Sequence, residues 1–328
     1  ANGRSALLAN TTGANNTGIG TFALMDNTTG NNNSASGYLA LGANTTGASN
    51  TATGTAALRT NTTGSENTAT GRGTLFSNTT GYGSTAIGKE ALYSNTTGSE
   101  NTAIGRNALY TNTLGSGNVA HGSFALYYNS TGYDNTAIGF NAMLENQTGF
   151  FNTAVGREAL VQNTTGGYNV GIGYNALLNV QGGSNNIGLG YLAQVPSANG
   201  SNQIRLGNTF ITYAGTQVAW SVTSDRRWKE NIQPSHLGLK FIKDLNPVSY
   251  TRTNDESRKV EYGIIAQELE AALVKHGANA NGIITIDDEG MYSVRYNDLL
   301  APLIKAIQEQ QVMIEELQEK IQQLENKD

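Results

Sequence analysis

Asn95-Thr96-Thr97-Gly98-Ser99-Glu100-Asn101-Thr102-Ala103-Ile104-Gly105-Arg106-Asn107-Ala108-Leu109-Tyr110-Thr111 is one copy of a unit that recurs through most of the chain. Its opening asparagine returns every 17 residues from Asn10 to Asn163 without a slip. Two glycines keep the same beat, one from Gly13, Gly30 and Gly47 to Gly166, the other from Gly20, Gly37 and Gly54 to Gly190 and once more at Gly207. An unbroken register leaves no room for insertions. Each unit must therefore stack on the one before it, which is the pattern of a solenoid or fibre.

Within the unit, Asn-Thr-Thr-Gly is turn chemistry, because Asn tolerates left-handed backbone and Gly takes positive φ freely. Asn101–Gly105 is a short β segment with Ala103 and Ile104 as its apolar members, and Ala108-Leu109 begins a second. No proline precedes Pro196 to interrupt stacking. The apolar content per unit is small against ~1–2 kcal/mol of backbone entropy per residue. Two devices can compensate: ladders of hydrogen bonds between stacked Asn and Thr side chains, and a core shared between chains, for which three chains are expected. At ~4.8 Å per strand, the coils would build a rod of ~50 Å.

The variable positions hold aromatic residues, among them Tyr38, Phe76, Tyr93, Tyr110 and Tyr168. They suit either a surface for glycans or a partner fibre, or packing between coils or chains, and packing is the more economical account. The threonine columns suit ice binding if they form a flat ladder, although hydroxyls serving turns explain them more simply. Many of the asparagines stand in Asn-X-Thr sequons, which a repeat this regular explains as turn residues rather than glycosylation sites. A calcium-binding roll needs an acidic residue in every repeat, and these repeats lack one.

The units resemble the parallel β-roll heads of trimeric autotransporter adhesins, whose shorter repeats also carry a Val-Ala-Ile-Gly strand. That resemblance spans residues 1–207, differs in repeat length, and implies a trimeric surface fibre.

Charge divides the chain. The net charge of −5 lies entirely after residue 220, since the earlier part has equal numbers of acidic and basic side chains. No basic patch argues for nucleic acid. With no cysteine, neither a disulfide nor a thiolate metal site is possible. No apolar run approaches the ~18 residues of a membrane span. No signal peptide is visible. The chain opens at Ala1 already inside the repeat, as a piece of a longer protein would.

The pattern changes after Gly190. Pro196–Gly200 reads as a loop, Gln203–Gly207 as an echo of the repeat strand, and 208–223 as a β neck. From Ser224 onward the chain is charged and conventional. Asp225–Ile232 reads as a helix start with Ser224 as N-cap. Leu245–Thr251 reads as a strand, Tyr262–Glu270 as strand into helix, and Gly282–Ile286 with Tyr292–Val294 as a hairpin. Leu300, Ile307, Ile314 and Ile321 fall on one heptad position, and Leu303, Gln310, Leu317 and Leu324 on its partner, so the chain ends in a coiled coil. Ile at the first position with Leu at the second favours two parallel helices, whereas Ile304, Ala306 and Met313 widen the apolar face toward more than two.

Ser224-Asp225-Arg226-Arg227-Trp228-Lys229-Glu230-Asn231-Ile232 resembles the opening motif of the intramolecular chaperone auto-processing domain of phage endosialidases and tail spikes. Tyr262–Glu270 and Tyr296–Glu309 resemble its later blocks, in the right order. The resemblance implies a domain that trimerises, guides folding of the fibre before it, and cuts itself off. It implies Ser224 as nucleophile, Lys229 as general base, and Thr223–Ser224 as the bond cut. A lysine serves as base only when desolvation or nearby cations lower its pKa. Arg226 and Arg227 would add positive field or form surface ion pairs, and Trp228 would wall Lys229. His121, His236 and His276 have no orienting partner, and no metal spacing occurs, so neither cofactor nor metal is expected.

The expected architecture is a mainly β rod of 17-residue repeats over 1–207, a neck over 208–223, a small α/β chaperone domain over 224–298, and a coiled-coil helix over 299–328. The expected function is a homotrimeric, extracellular fibre of a phage, injection particle or bacterial surface, anchored upstream to a baseplate or similar protein, with a self-cleaving chaperone. The rival is an adhesin whose rod binds a cell-surface glycan or receptor, the C-terminal domain being a retained trimerisation cap.

Overall fold

A computed structural model describes residues 1–253 and 255–326. Asn254, within the expected chaperone domain, and the last two residues of the expected coiled coil lie outside the described residues. The chain forms two compact units, Ala1–Asn208 and Thr209–Asp328.

The first unit is a β-solenoid. Its strands are Thr17–Ile19 (β1), Ser34–Ser36 (β2), Thr51–Thr53 (β3), Thr68–Thr70 (β4), Thr85–Ile87 (β5), Thr102–Ile104 (β6), Val119–His121 (β7), Thr136–Ile138 (β8), Thr153–Val155 (β9), Val170–Ile172 (β10), Ile187–Leu189 (β11) and Ile204–Leu206 (β12). They form one parallel sheet in sequence order, each residue paired with the one 17 later, as Ala86 with Ala103. The middle residue of each strand points inward, and its two neighbours point outward.

The core is closed within one chain, so the shared core expected from sparse apolar content is not needed. Ala103, Ala108 and Leu109 are wholly buried, and their equivalents recur in nearly every coil. Two buried columns of asparagine supply the rest. In the first, Asn112 Nδ2 donates to Asn95 Oδ1 at 2.8 Å and to the Gly115 carbonyl at 2.9 Å. In the second, the Asn118 backbone N–H donates to Asn101 Oδ1 at 2.9 Å and its Nδ2 to the Gly132 carbonyl at 2.8 Å. The expected ladders are present. Threonine hydroxyls add a third set, with Thr96 Oγ1 donating to the Thr113 carbonyl at 3.0 Å.

Two local assignments change. The Asn of Asn-Thr-Thr-Gly is an interior ladder residue and not a left-handed turn residue. As Asn95 and its equivalents are fully buried, the sequons they open cannot be reached by a glycosylating enzyme in the folded chain. Ala108-Leu109 is not a strand but a tight turn run. Leu109 holds φ 51°, as Asn107 holds 58° and Glu100 holds 59°. Such backbone costs ~1–3 kcal/mol per residue unless its surroundings over-determine it. Here each such N–H is claimed by a neighbouring coil: Glu100 by the Tyr82 carbonyl, Asn107 by that of Lys89, and Leu109 by that of Ala125.

The glycine columns serve close approach of coils. A Cβ on Gly54, at φ 130°, would lie 2.6 Å from the Gly71 carbonyl oxygen. A Cβ on Gly98, whose φ is not positive, would collide with the Gly115 carbonyl and the Asn95 side chain.

The second unit begins with residues 209–223, which were expected as a β neck. They form no strand here, and Tyr213, Trp220 and Val222 are more than three-quarters exposed. After a single turn at Arg226–Trp228 come Leu239–Asp244 (α1), the antiparallel pair Pro247–Thr251 (β13) and Val260–Ile264 (β14), and Ala266–Lys275 (α2). The hairpin Ile284–Ile286 (β15) and Tyr292–Val294 (β16) follows, then the 26-residue helix Leu300–Glu325 (α3). Asp287 shapes the hairpin turn by accepting from the N–H groups of Glu289 and Met291. Phe241, Leu269 and Leu273 are fully buried at the centre of this unit's core. No helix among the described residues is long and apolar enough to cross a membrane.

Candidate active site

The segment Ser224–Lys229 builds its own geometry. Asp225 has extended backbone, and its carboxylate accepts the Arg227 N–H at 2.9 Å. Asp225 is therefore the N-cap in place of Ser224, and the element it starts is one 3-10 turn, not a longer helix. Both residues suit the position chemically, but Asp225 also gains Arg227, whose guanidinium reaches its carboxylate at 2.7 Å. The Arg227 side chain, then its N–H, hold the Asp225 carboxyl below its ordinary value.

Because Asp225 caps the turn, the Ser224 hydroxyl is free of capping duty. The turn closes through Trp228 N–H to the Asp225 carbonyl and Lys229 N–H to the Arg226 carbonyl, each 3.1 Å. This folds Lys229 back over Ser224, and Lys229 Nζ donates to Ser224 Oγ at 2.6 Å. A hydroxyl and an amine are thus in direct contact beside the Thr223–Ser224 bond. Arg227 is spent on its ion pair. Trp228, expected as a wall for Lys229, is 83% exposed. Ser224 and Lys229 are exposed as well.

The seam residues Leu300, Leu303, Ile307, Gln310, Ile314, Leu317, Ile321 and Leu324 all lie on α3 and are all exposed. Ala306 departs from the expected wide apolar face. It is 4% exposed and turned into the chain's own fold, where α1 packs along α3. Glu309 fixes that packing, its carboxylate accepting the Leu239 N–H at 2.7 Å.

One polar cluster escaped the sequence reading. Asp244 Oδ2 lies 2.6 Å from His276 Nε2 and 2.9 Å from Lys275 Nζ, joining the ends of α1 and α2. The His276 ring also meets Phe241 edge to face at 5.7 Å. These residues are 32 apart in sequence, and no local spacing announces the pair. His121 and His236 are exposed. Among the described residues no group of three or more His, Asp or Glu side chains is placed to hold a metal ion.

The aromatic positions are settled by stacking between coils. Phe76, Tyr93, Tyr110 and Tyr127 form a column with centroids 5.0–5.2 Å apart and planes within 12° of parallel. Arg59 caps the free face of Phe76 at 5.3 Å. Burial, then Glu90 and the neighbouring phenols, hold the Tyr110 hydroxyl above its ordinary pKa.

Residues 224–278 match the model of a peptidase family described as the chaperone of endosialidase. The match takes in two of the blocks that carried the resemblance, Ser224–Ile232 and Tyr262–Glu270; the third, Tyr296–Glu309, lies beyond it. No curated protein and no solved structure matches the chain.

Proposed function

We propose, for a chain whose residues 224–278 carry the endosialidase chaperone domain, that it is the subunit of a homotrimeric phage-type fibre whose chaperone domain cuts the Thr223–Ser224 bond once. The observation that carries this reading is the 2.6 Å contact between Lys229 Nζ and Ser224 Oγ inside the matched segment. Lys229, once deprotonated, takes the Ser224 hydroxyl proton. Oγ attacks the Thr223 carbonyl carbon, and the C–N bond breaks as the Ser224 nitrogen takes up that proton. Water then hydrolyses the ester left on Ser224. Desolvation is what makes a lysine a base. Both side chains are exposed in the single chain, so cover from neighbouring copies would supply it. Cutting would then wait for assembly.

The α3 seam supports assembly, since eight heptad positions in register remain exposed on their own chain. A fibre of this kind acts outside the cell, joined at its upstream end to an anchoring protein. The adhesin reading gains less. The stacked column turns its ring faces toward one another, which leaves edges, not faces, for a sugar. Ice binding needs a long flat array of hydroxyls, and both outward positions carry them only in β2, β3 and β4.

The test is denaturing electrophoresis of the assembled protein. Wild type is expected as two bands split at Thr223–Ser224, while Ser224→Ala and Lys229→Ala remain one. A single wild-type band after assembly would make the domain a retained cap.

A further inference from the structure

The outward positions of the solenoid sheet change character along its length. In β2 to β4 they are Ser34, Ser36, Thr51, Thr53, Thr68 and Thr70. In β10 to β12 the same positions are Val170, Ile172, Ile187, Leu189, Ile204 and Leu206. The backbone and register are the same at both ends, so strand formation does not ask for the change; threonine suits a strand as well as valine does. Nor does the core ask for it, because these side chains point away. Ile172 is 43% exposed, Leu189 38%, Ile204 68% and Leu206 53%, while Val170 and Ile187 beside them are half-buried. A contiguous exposed apolar patch marks an interaction site.

We infer that the outward face of β10–β12 is a contact surface between copies of this chain. Three features select a copy over another partner. The six side chains offer no hydrogen-bonding atom, so a glycan or a charged peptide finds nothing to pair with. They carry no charge, so identical faces meet without repulsion. Their spacing is that of the coil repeat, and only a surface with the same repeat matches it at every strand. The inference rests on the proposal that chains assemble through α3. A parallel seam there brings the same coil of each chain to the same level, so the β10–β12 faces of three copies can converge on the common axis. The hydroxyl-bearing face of β2–β4 stays in water.

The chain has no cysteine, so single probes report cleanly. Leu189→Cys, Thr53→Cys and Ile314→Cys would each be made in the full chain with Ser224→Ala, which keeps all probes on one polypeptide, and treated with a short bismaleimide. Leu189→Cys is expected to cross-link between chains as well as Ile314→Cys, and about tenfold more than Thr53→Cys, because contact at β10–β12 holds its counterpart within the reach of the linker and the face of β2–β4 has no such contact. Ile172→Cys serves as a second probe of the same face if Leu189→Cys folds poorly. If Ile314→Cys links while Leu189→Cys and Ile172→Cys stay at the Thr53→Cys level, the contact surface is wrong and the assembly stands. If none links and the protein has the mass of one chain, the assembly proposal fails and this inference with it.

Discussion

Val180 stands where the coils from Asn10 to Asn163 place an asparagine, and it ends the first ladder. Each ladder Oδ1 accepts from the Nδ2 of the next coil, as Asn129 Oδ1 does from Asn146 at 2.7 Å. Valine cannot donate, and Asn163 Oδ1 is left buried without a partner. An unsatisfied buried acceptor costs ~1–3 kcal/mol, comparable to the burial of the valine, ~1.5–3 kcal/mol. Val180→Asn would give Asn163 Oδ1 its donor but forfeit that burial, so its stability, read from the denaturation midpoint, is expected to stay within about 1 kcal/mol of wild type. The reverse change in mid-ladder, Asn112→Val, orphans Asn95 Oδ1 and the Asn129 Nδ2 bond, and should cost about 2–4 kcal/mol. Equal stability of Asn112→Val with wild type would remove the ladder as a source of stability.

At the scale of elements, the Asp244 cluster ties α1 to α2 and invites a pH test. The His276 ring, then the Lys275 ammonium, hold the Asp244 carboxyl below its ordinary value. A carboxyl lowered on folding stabilises the domain above its unfolded pKa, and that contribution fades as pH falls through the lower folded value. Acid should thus weaken the second unit over the window just below the ordinary carboxylate range. Asp244→Asn should lower its midpoint at neutral pH and flatten that acid limb, as followed by the near-ultraviolet signal of the core around Phe241. An unchanged acid limb would show that the ends of α1 and α2 are held by packing alone. Glu309 does comparable work between α1 and α3, yet it sits in a helix whose heptad pattern points to a different partner.

For the whole molecule, the two units differ in what they require. The solenoid closes its core coil by coil within one chain, with Ala, Ala and Leu beside two asparagines. The α3 seam has no such closure: Ile307 is 64% exposed and Ile314 48%. Ile314→Asp places a charge in the seam and should reduce the native mass to that of one chain. The far-ultraviolet β signal of the solenoid should survive. Loss of the β signal together with assembly would mean that the solenoid depends on its neighbours after all.

The sequence by itself determined the repeat, its stacking register and, in the second unit, the strands, α2 and α3, though not α1. Periodicity and heptads are local arithmetic, and stacking simply repeats them. It also placed Ser224 and Lys229 five residues apart, close enough for one turn to join them. Only the tertiary structure decided that Asp225 caps that turn and releases the serine, because two good caps stand side by side and Arg227 chooses between them. Only it showed that the glycines are fixed by the carbonyl of the next coil, that leucines such as Leu109 sit in left-handed backbone, and that the core needs no second chain. In the solenoid the deciding atom belongs to a residue one coil away, and composition and spacing along the chain do not record that distance; at Ser224–Lys229 it belongs to a side chain two residues on, whose rotamer the sequence does not record either.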